Sequence, residues 1–292
     1  MVPGQFGAVL RRIRHVFGVQ EAEEQADSRL LERFAADRDE AAFGVLLQRH
    51  GPMVLRLCRS ILHHEQDAED AFQATFLVLA QKCASIRQHH ALASWLYGVA
   101  YRLCLRAKSR QQRRQAKLEH EPATPAPEAD MQETHAILYE ELAQLPDRYR
   151  QPLLLCYFQG MSHGEACGEL GLARGSMTYR LKVAEEQLRK RLARRGVTLS
   201  VAMLASLAGG ASALPPALVD GTLKAAVVLA AGEPAGNLIS SQVVTLTRGG
   251  MQMLFWQKAK RIMVAGTGLA LLTAVVGWTF YQNQHQTQAV PV

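Results

Sequence analysis

Residues 161–192 read MSHGEACGELGLARGSMTYRLKVAEEQLRKRL, and the fold turns on them. Ser162 with Glu165 three residues on is the pattern of a capping box, so a helix starts there. Ala166 and Leu170 form its buried face, and Gly171 follows directly, as a left-handed helix stop requires. Leu172 plugs the turn. A second helix starts near Arg174 and aligns Met177, Leu181, Ala184, Leu188 and Leu192 on one face. Two short helices around a glycine turn, the second one basic, make a helix-turn-helix. In that motif the N-terminal part of the second helix meets base edges in the major groove. Arg174, Ser176, Thr178, Tyr179, Arg180, Lys182 and Arg189 are therefore the candidate recognition-helix contacts. Arg180, Lys182, Lys190, Arg191, Arg194 and Arg195 suit phosphates. The competing reading is an ordinary helical hairpin with a solvated basic face.

N-terminal to this motif the chain is helical in pattern, and no window alternates with period two. Helices are expected over Arg29–Ala36, Ala41–Leu62, Asp67–Lys82 and Leu92–Lys117, with Gly51-Pro52 marking a kink or break in the second. The third opens DAEDAFQATF at Asp67, with acids where the helix dipole favours them. Ala68, Phe72, Phe76 and Leu79 form its apolar stripe, which leaves Glu69, Asp70 and Gln73 as an exposed acidic and polar patch. Simple helix capping explains the acids; a docking face for a basic partner explains them too. In the fourth helix Trp95, Leu96, Val99 and Leu103 can pack inward. Arg102, Arg106, Lys108, Arg110, Arg113, Arg114 and Lys117 follow with no acid between them. Cations for phosphates beside Trp95, Tyr97 and Tyr101 for unstacked bases suit strand-separated DNA.

Composition sets the boundaries. The 292 residues carry a formal net charge of +7, which fits a nucleic acid or an anionic membrane surface. Residues 1–26 form a leader, 27–117 one helical domain, 118–134 a linker holding Pro122, Pro125 and Pro127, and 135–196 the helix-turn-helix domain. Beyond Gly196 charge nearly vanishes. An apolar helical extension covers 197–260, broken at Gly209-Gly210, Pro215-Pro216 and Gly249-Gly250. Ile262–Tyr281 is a charge-free run flanked on its N-terminal side by Lys258, Lys260 and Arg261. As a helix it would reach about 30 Å, the thickness of a bilayer core. A transmembrane helix is expected at 261–282, N-terminal side in the cytoplasm, followed by a short tail at 283–292. The five cysteines form no Cys-x-x-Cys pair and suit a reducing compartment. His63-His64 beside Glu65 and Asp67 lacks a third ligand at zinc spacing, and His89-His90 reads as surface. No catalytic residue, metal or cofactor is assigned, and the expectation is not an enzyme.

An acidic-started helix, an aromatic-plus-basic helix, a proline-rich linker and a C-terminal helix-turn-helix, in that order, resemble a sigma-70 family factor of the extracytoplasmic-function type. The resemblance covers residues 28–196. It implies an all-α fold of two small helical domains. It implies that Asp67, Glu69, Asp70, Gln73 and Phe76 bind core RNA polymerase. Trp95, Tyr97, Tyr101, Arg102, Arg106, Lys108, Arg110, Arg113 and Arg114 would engage and melt the downstream promoter element. Leu145–Tyr157 resembles the start of the family's fourth conserved region, and Gly175–Leu181 its recognition helix. The extension resembles the fused C-terminal pieces of some environmental lineages, where residues 197–260 would make an anti-sigma or intramolecular inhibitory contact. The expected partners are core polymerase, promoter DNA and the membrane. The alternative is a membrane-anchored one-component regulator that uses the helix-turn-helix alone, and it leaves Asp67–Gln73 and Trp95–Lys117 without a role.

Overall fold

The computed structural model describes residues 25–62, 64–86, 92–117, 128–200, 203, 214–233 and 238–252. The chain divides after Thr247 into two units. The expected membrane helix lies outside the described residues. Among those that are described, no helix is long and apolar enough to cross a membrane.

Among the described residues the helices run α1 (Asp27–Asp37), α2 (Glu40–Ile61), α3 (Glu65–Lys82), α4 (Leu92–Lys117), α5 (Glu128–Ala143), α6 (Asp147–Leu153), α7 (His163–Leu170), α8 (Arg174–Arg194) and α9 (Pro216–Ala230). Residues 241–252 are also helical, and there is no strand among the described residues. Helices α1 to α4 pack around Phe34, Phe43, Phe72 and Phe76. The Phe34 and Phe43 ring centroids lie 4.4 Å apart and those of Phe72 and Phe76 5.0 Å apart. Helix α2 continues through Gly51-Pro52, where a kink or break was expected, without a break. A proline inside a helix costs about 3 kcal/mol. Here α2 packs against α1, α3, α4, α5 and α9, and that burial outweighs the lost bond. Helix α5 starts at Glu128, inside the stretch read as linker. The last proline of that stretch is Pro127, and most of the residues directly after it are good helix formers.

Helices α5 to α8 form the second sub-structure, with α6 and α8 in contact and α7 crossing α8. After Pro152 the chain widens into a π turn, Leu154–Phe158. Tyr157 Oη donates to Glu185 Oε1 at 2.5 Å and ties that turn to α8.

The two sub-structures are clasped. Tyr97 of α4 donates its hydroxyl to the Tyr139 carbonyl at 2.5 Å. Arg150 of α6 donates to Ser94 Oγ at 2.8 Å and to the Ala143 carbonyl at 2.8 Å, pairs with Asp147, and stacks over the Tyr97 ring. His50, 1 % exposed, meets Asp27 Oδ2 at 2.6 Å through Nε2 and the Gln159 amide nitrogen at 2.8 Å through Nδ1. Burial would raise the Asp27 carboxyl, but His50 and Arg49 together outweigh it and hold it below its ordinary value.

Candidate nucleic-acid interface

The helix-turn-helix is built as the sequence predicts. Ser162 accepts from the Glu165 amide at 3.3 Å, and Glu165 accepts from the Ser162 amide at 2.8 Å. Gly171 ends α7 in the left-handed region at φ 61°, and the Leu172 amide bonds back to the Cys167 carbonyl at 3.0 Å. All five residues expected on the inner face of α8 are buried. Ala173, at the N-cap of α8, supplies no side-chain bond. The start of the helix is thus open, with its amides directed outward beside Arg174.

The outer face of α8 presents Arg174, Ser176, Thr178, Tyr179 and Lys182 to solvent, with Arg180 half-buried. Tyr179 is 64 % exposed, an aromatic ring with no intramolecular reason to be outside. Arg189 is exposed too, but Glu186 takes it at 3.1 Å and Lys190 at 3.1 Å. Two of the phosphate candidates turn inward instead: Arg191 and Arg195 reach Glu141 of α5 at 3.3 and 3.2 Å, and Arg195 also reaches Glu140. They hold α8 onto α5, because acids on that helix lie opposite its last turns. Arg194 remains exposed.

The candidate melting helix, α4, is different. Tyr97 is wholly buried by α5 and α6, so its ring is not available for stacking on a base in this conformation. Trp95, Tyr101, Arg102, Arg106, Lys108 and Arg110 are half-buried, and Arg113 is exposed; nothing is described of the Arg114 side chain. The Arg102 guanidinium folds back over Gly98. Burial, and then the nearby Arg150, push its pKa down. Burial and the carboxylates of Glu140 and Glu141 push the Tyr101 phenol up. Sequence reasoning had no access to the clasp that does this. Ser94 and Arg150 stand 56 positions apart and carry no local signature.

The acidic patch on α3 also departs from expectation. Asp67, Glu69 and Gln73 are half-buried, but Asp70 is only 3 % exposed, and Phe76 lies in the aromatic core. Asp70 Oδ1 accepts from the Ser240 hydroxyl at 3.0 Å. The expected exposed patch is covered because a segment from the C-terminal extension lies on it.

Residues 46–114 match the sigma-70 region 2 family and residues 135–188 the sigma-70 region 4 family. The chain is 28% identical over 172 residues to the ECF RNA polymerase sigma factor SigE of Mycolicibacterium smegmatis, across 55% of this chain and 66% of that one. It is 29% identical over 161 residues to the ECF RNA polymerase sigma factor RpoE of Cereibacter sphaeroides, across 53% of this chain and 88% of the relative. Among solved structures, the sigma factor RpoE in complex with the anti-sigma factor NepR from Bartonella quintana aligns at 22% identity and a TM-score of 0.25, over 51% of this chain and 94% of that one. The helices α2 to α4 and α5 to α8 are thus the two segments that the matches cover, in the order the motifs predicted, and over them the chain is similar to sigma-70 regions 2 and 4 and to sigma factors of the extracytoplasmic-function type.

Proposed function

We propose that this chain is a sigma factor that binds core RNA polymerase, directs it to promoters and starts transcription. The observation that carries the reading is the outer face of α8. It presents cations and an exposed tyrosine at the start of the second helix of a helix-turn-helix, in the same chain as a region 2 segment. In this mechanism α8 holds the upstream element as duplex, with Arg174, Ser176 and Thr178 at base edges and Arg180 and Lys182 on phosphates. Helix α4 takes the downstream element once the clasp to α5 and α6 opens. Its row of cations then meets phosphates, and Trp95, Tyr97 and Tyr101 become platforms for separated bases. Asp67, Glu69, Asp70 and Gln73 on α3 face polymerase. The stretch between α4 and α5 lets the two halves separate along the promoter.

The run Ile262–Tyr281, with Lys258, Lys260 and Arg261 before it, supports a further part of the reading: a single membrane span that keeps the sigma module at the cytoplasmic face. Replacing Leu272 by Arg should release the protein from alkali-washed membranes.

Run-off transcription with purified core polymerase, supplied with the full chain or with residues 1–196, tests the central reading. Initiation at sites that core polymerase alone ignores is expected. No initiation by either form overturns it.

A further inference from the structure

A surface helix of a small bundle normally keeps one solvated stripe. Helix α3 keeps one only outside its middle: every residue from Ala74 to Ala80 is buried, over nearly two full turns. One side is closed by α2 and α4, as the region 2 bundle requires. The other is closed by α9, which also reaches α2. Neither family match extends past residue 188, so α9 lies outside both.

The contact is fitted from both sides. Leu214, just before α9, sits over Gly51 of α2; a Cβ at Gly51 would stand 2.5 Å from its Cδ1. Leu223 lies over Gly44 of α2, 3.9 Å from where a Cβ would be. The traffic then reverses. Gly221 of α9 leaves room for the amide of Gln73, 3.7 Å from its own missing Cβ. Further on, Ser240 accepts from the Val243 amide at 3.1 Å, capping the helical residues that follow, while its hydroxyl donates to Asp70. One hydroxyl thus starts a helix and gives the buried Asp70 carboxylate a donor beside the Gln66 side chain.

We infer that residues 214–233 and 238–247 are an in-chain competitor of core RNA polymerase for the face of α3 that carries Asp70 and Gln73. The inference rests on the sigma-factor reading and goes beyond it. Asp70 and Gln73 cannot meet polymerase and α9 together. Because the competitor is on the same chain, its effective concentration is high, and a single helix suffices to hold the face. Polymerase then binds only the fraction of chains in which α9 has lifted, and the apparent affinity falls by that fraction. Whatever pulls on the chain beyond residue 247 acts on this balance and leaves the DNA-reading face of α8 untouched.

Binding of purified core polymerase to the full chain in detergent, measured by biolayer interferometry, tests this. Leu223→Asp places a charge in the seat of α9. Gly51→Ala is the milder companion; alanine is favoured over glycine inside a helix, so α2 keeps its fold while Leu214 loses its seat. If wild-type chains are closed about nine-tenths of the time, Leu223→Asp should bind core polymerase about ten-fold more tightly, and Gly51→Ala should shift binding in the same direction by less. Hydrogen exchange of the α9 amides in the wild-type chain should also accelerate when core polymerase is added. Equal binding by all three forms, with α9 still protected in the complex, overturns the competitor and leaves the sigma reading intact. Binding by none of them, Leu223→Asp included, overturns both.

Discussion

The two segments that match sigma-70 regions 2 and 4 expose their candidate functional faces to very different degrees. On α8 most of the candidate DNA contacts stand in solvent, and the inner face is closed by α5, α6 and α7. On α3 and α4 the described candidate contacts other than Arg113 are half-buried or buried, and two of them are covered from distant parts of the chain: Arg150 on Tyr97, Ser240 on Asp70. In the proposed function, one half can meet duplex DNA as it stands, and the other must be uncovered first, at both its candidate polymerase face and its candidate melting face. Exposure, more than residue type, separates a site ready to bind from one held in reserve.

That contrast can be broken, most severely at the clasp. Arg150→Ala removes a buried guanidinium that three polar groups share, and should cost about 3 kcal/mol in urea unfolding while opening α4 to solvent. A loss no larger than that of a surface substitution would mean that the clasp does not hold the halves. Asp27→Asn comes next, at about 2 kcal/mol near neutral pH, because it takes the charge from Arg49 and His50. The folded Asp27 carboxyl lies below its unfolded value. Its contribution is therefore complete above the ordinary carboxylate pKa and disappears as pH falls through the folded one. Stability against pH should thus lose part of its acid limb in the variant. In the open half, Ser162→Ala should lower stability by about 1 kcal/mol in thermal melts, the usual worth of a helix cap. Arg180→Ala with Lys182→Ala should leave stability unchanged and reduce the salt slope of duplex binding by about 1 per cation removed. An unchanged slope would take those two residues off the phosphates.

The sequence made the open half legible because its signals are local. A capping box, a left-handed glycine and an apolar stripe each lie within one or two turns, and they place α7, α8 and the five buried residues correctly. The covered half was legible only as helices. Gly51-Pro52 reads locally as a kink or break, yet packing on five neighbours keeps α2 continuous. Glu69, Asp70 and Gln73 read as a solvated patch, since nothing in that segment announces Ser240, 170 positions away. His50 and Gln159 are 109 positions apart, and neither residue alone signals a bridge. Period and capping are properties of a segment; cover is a property of the whole chain.

The notch at Gly51 has a genetic consequence. A methyl added there collides with Leu214 and with nothing else at so short a distance, since Phe72 is 3.4 Å away. The two positions therefore act as one locus split across the chain. Gly51→Ala alone should unseat the extension, and Leu214→Ala in the same chain should restore it, as an intragenic suppressor. Related chains with the same extension are then expected to vary at these positions in pairs, small against large, and chains lacking it to be unconstrained at the first.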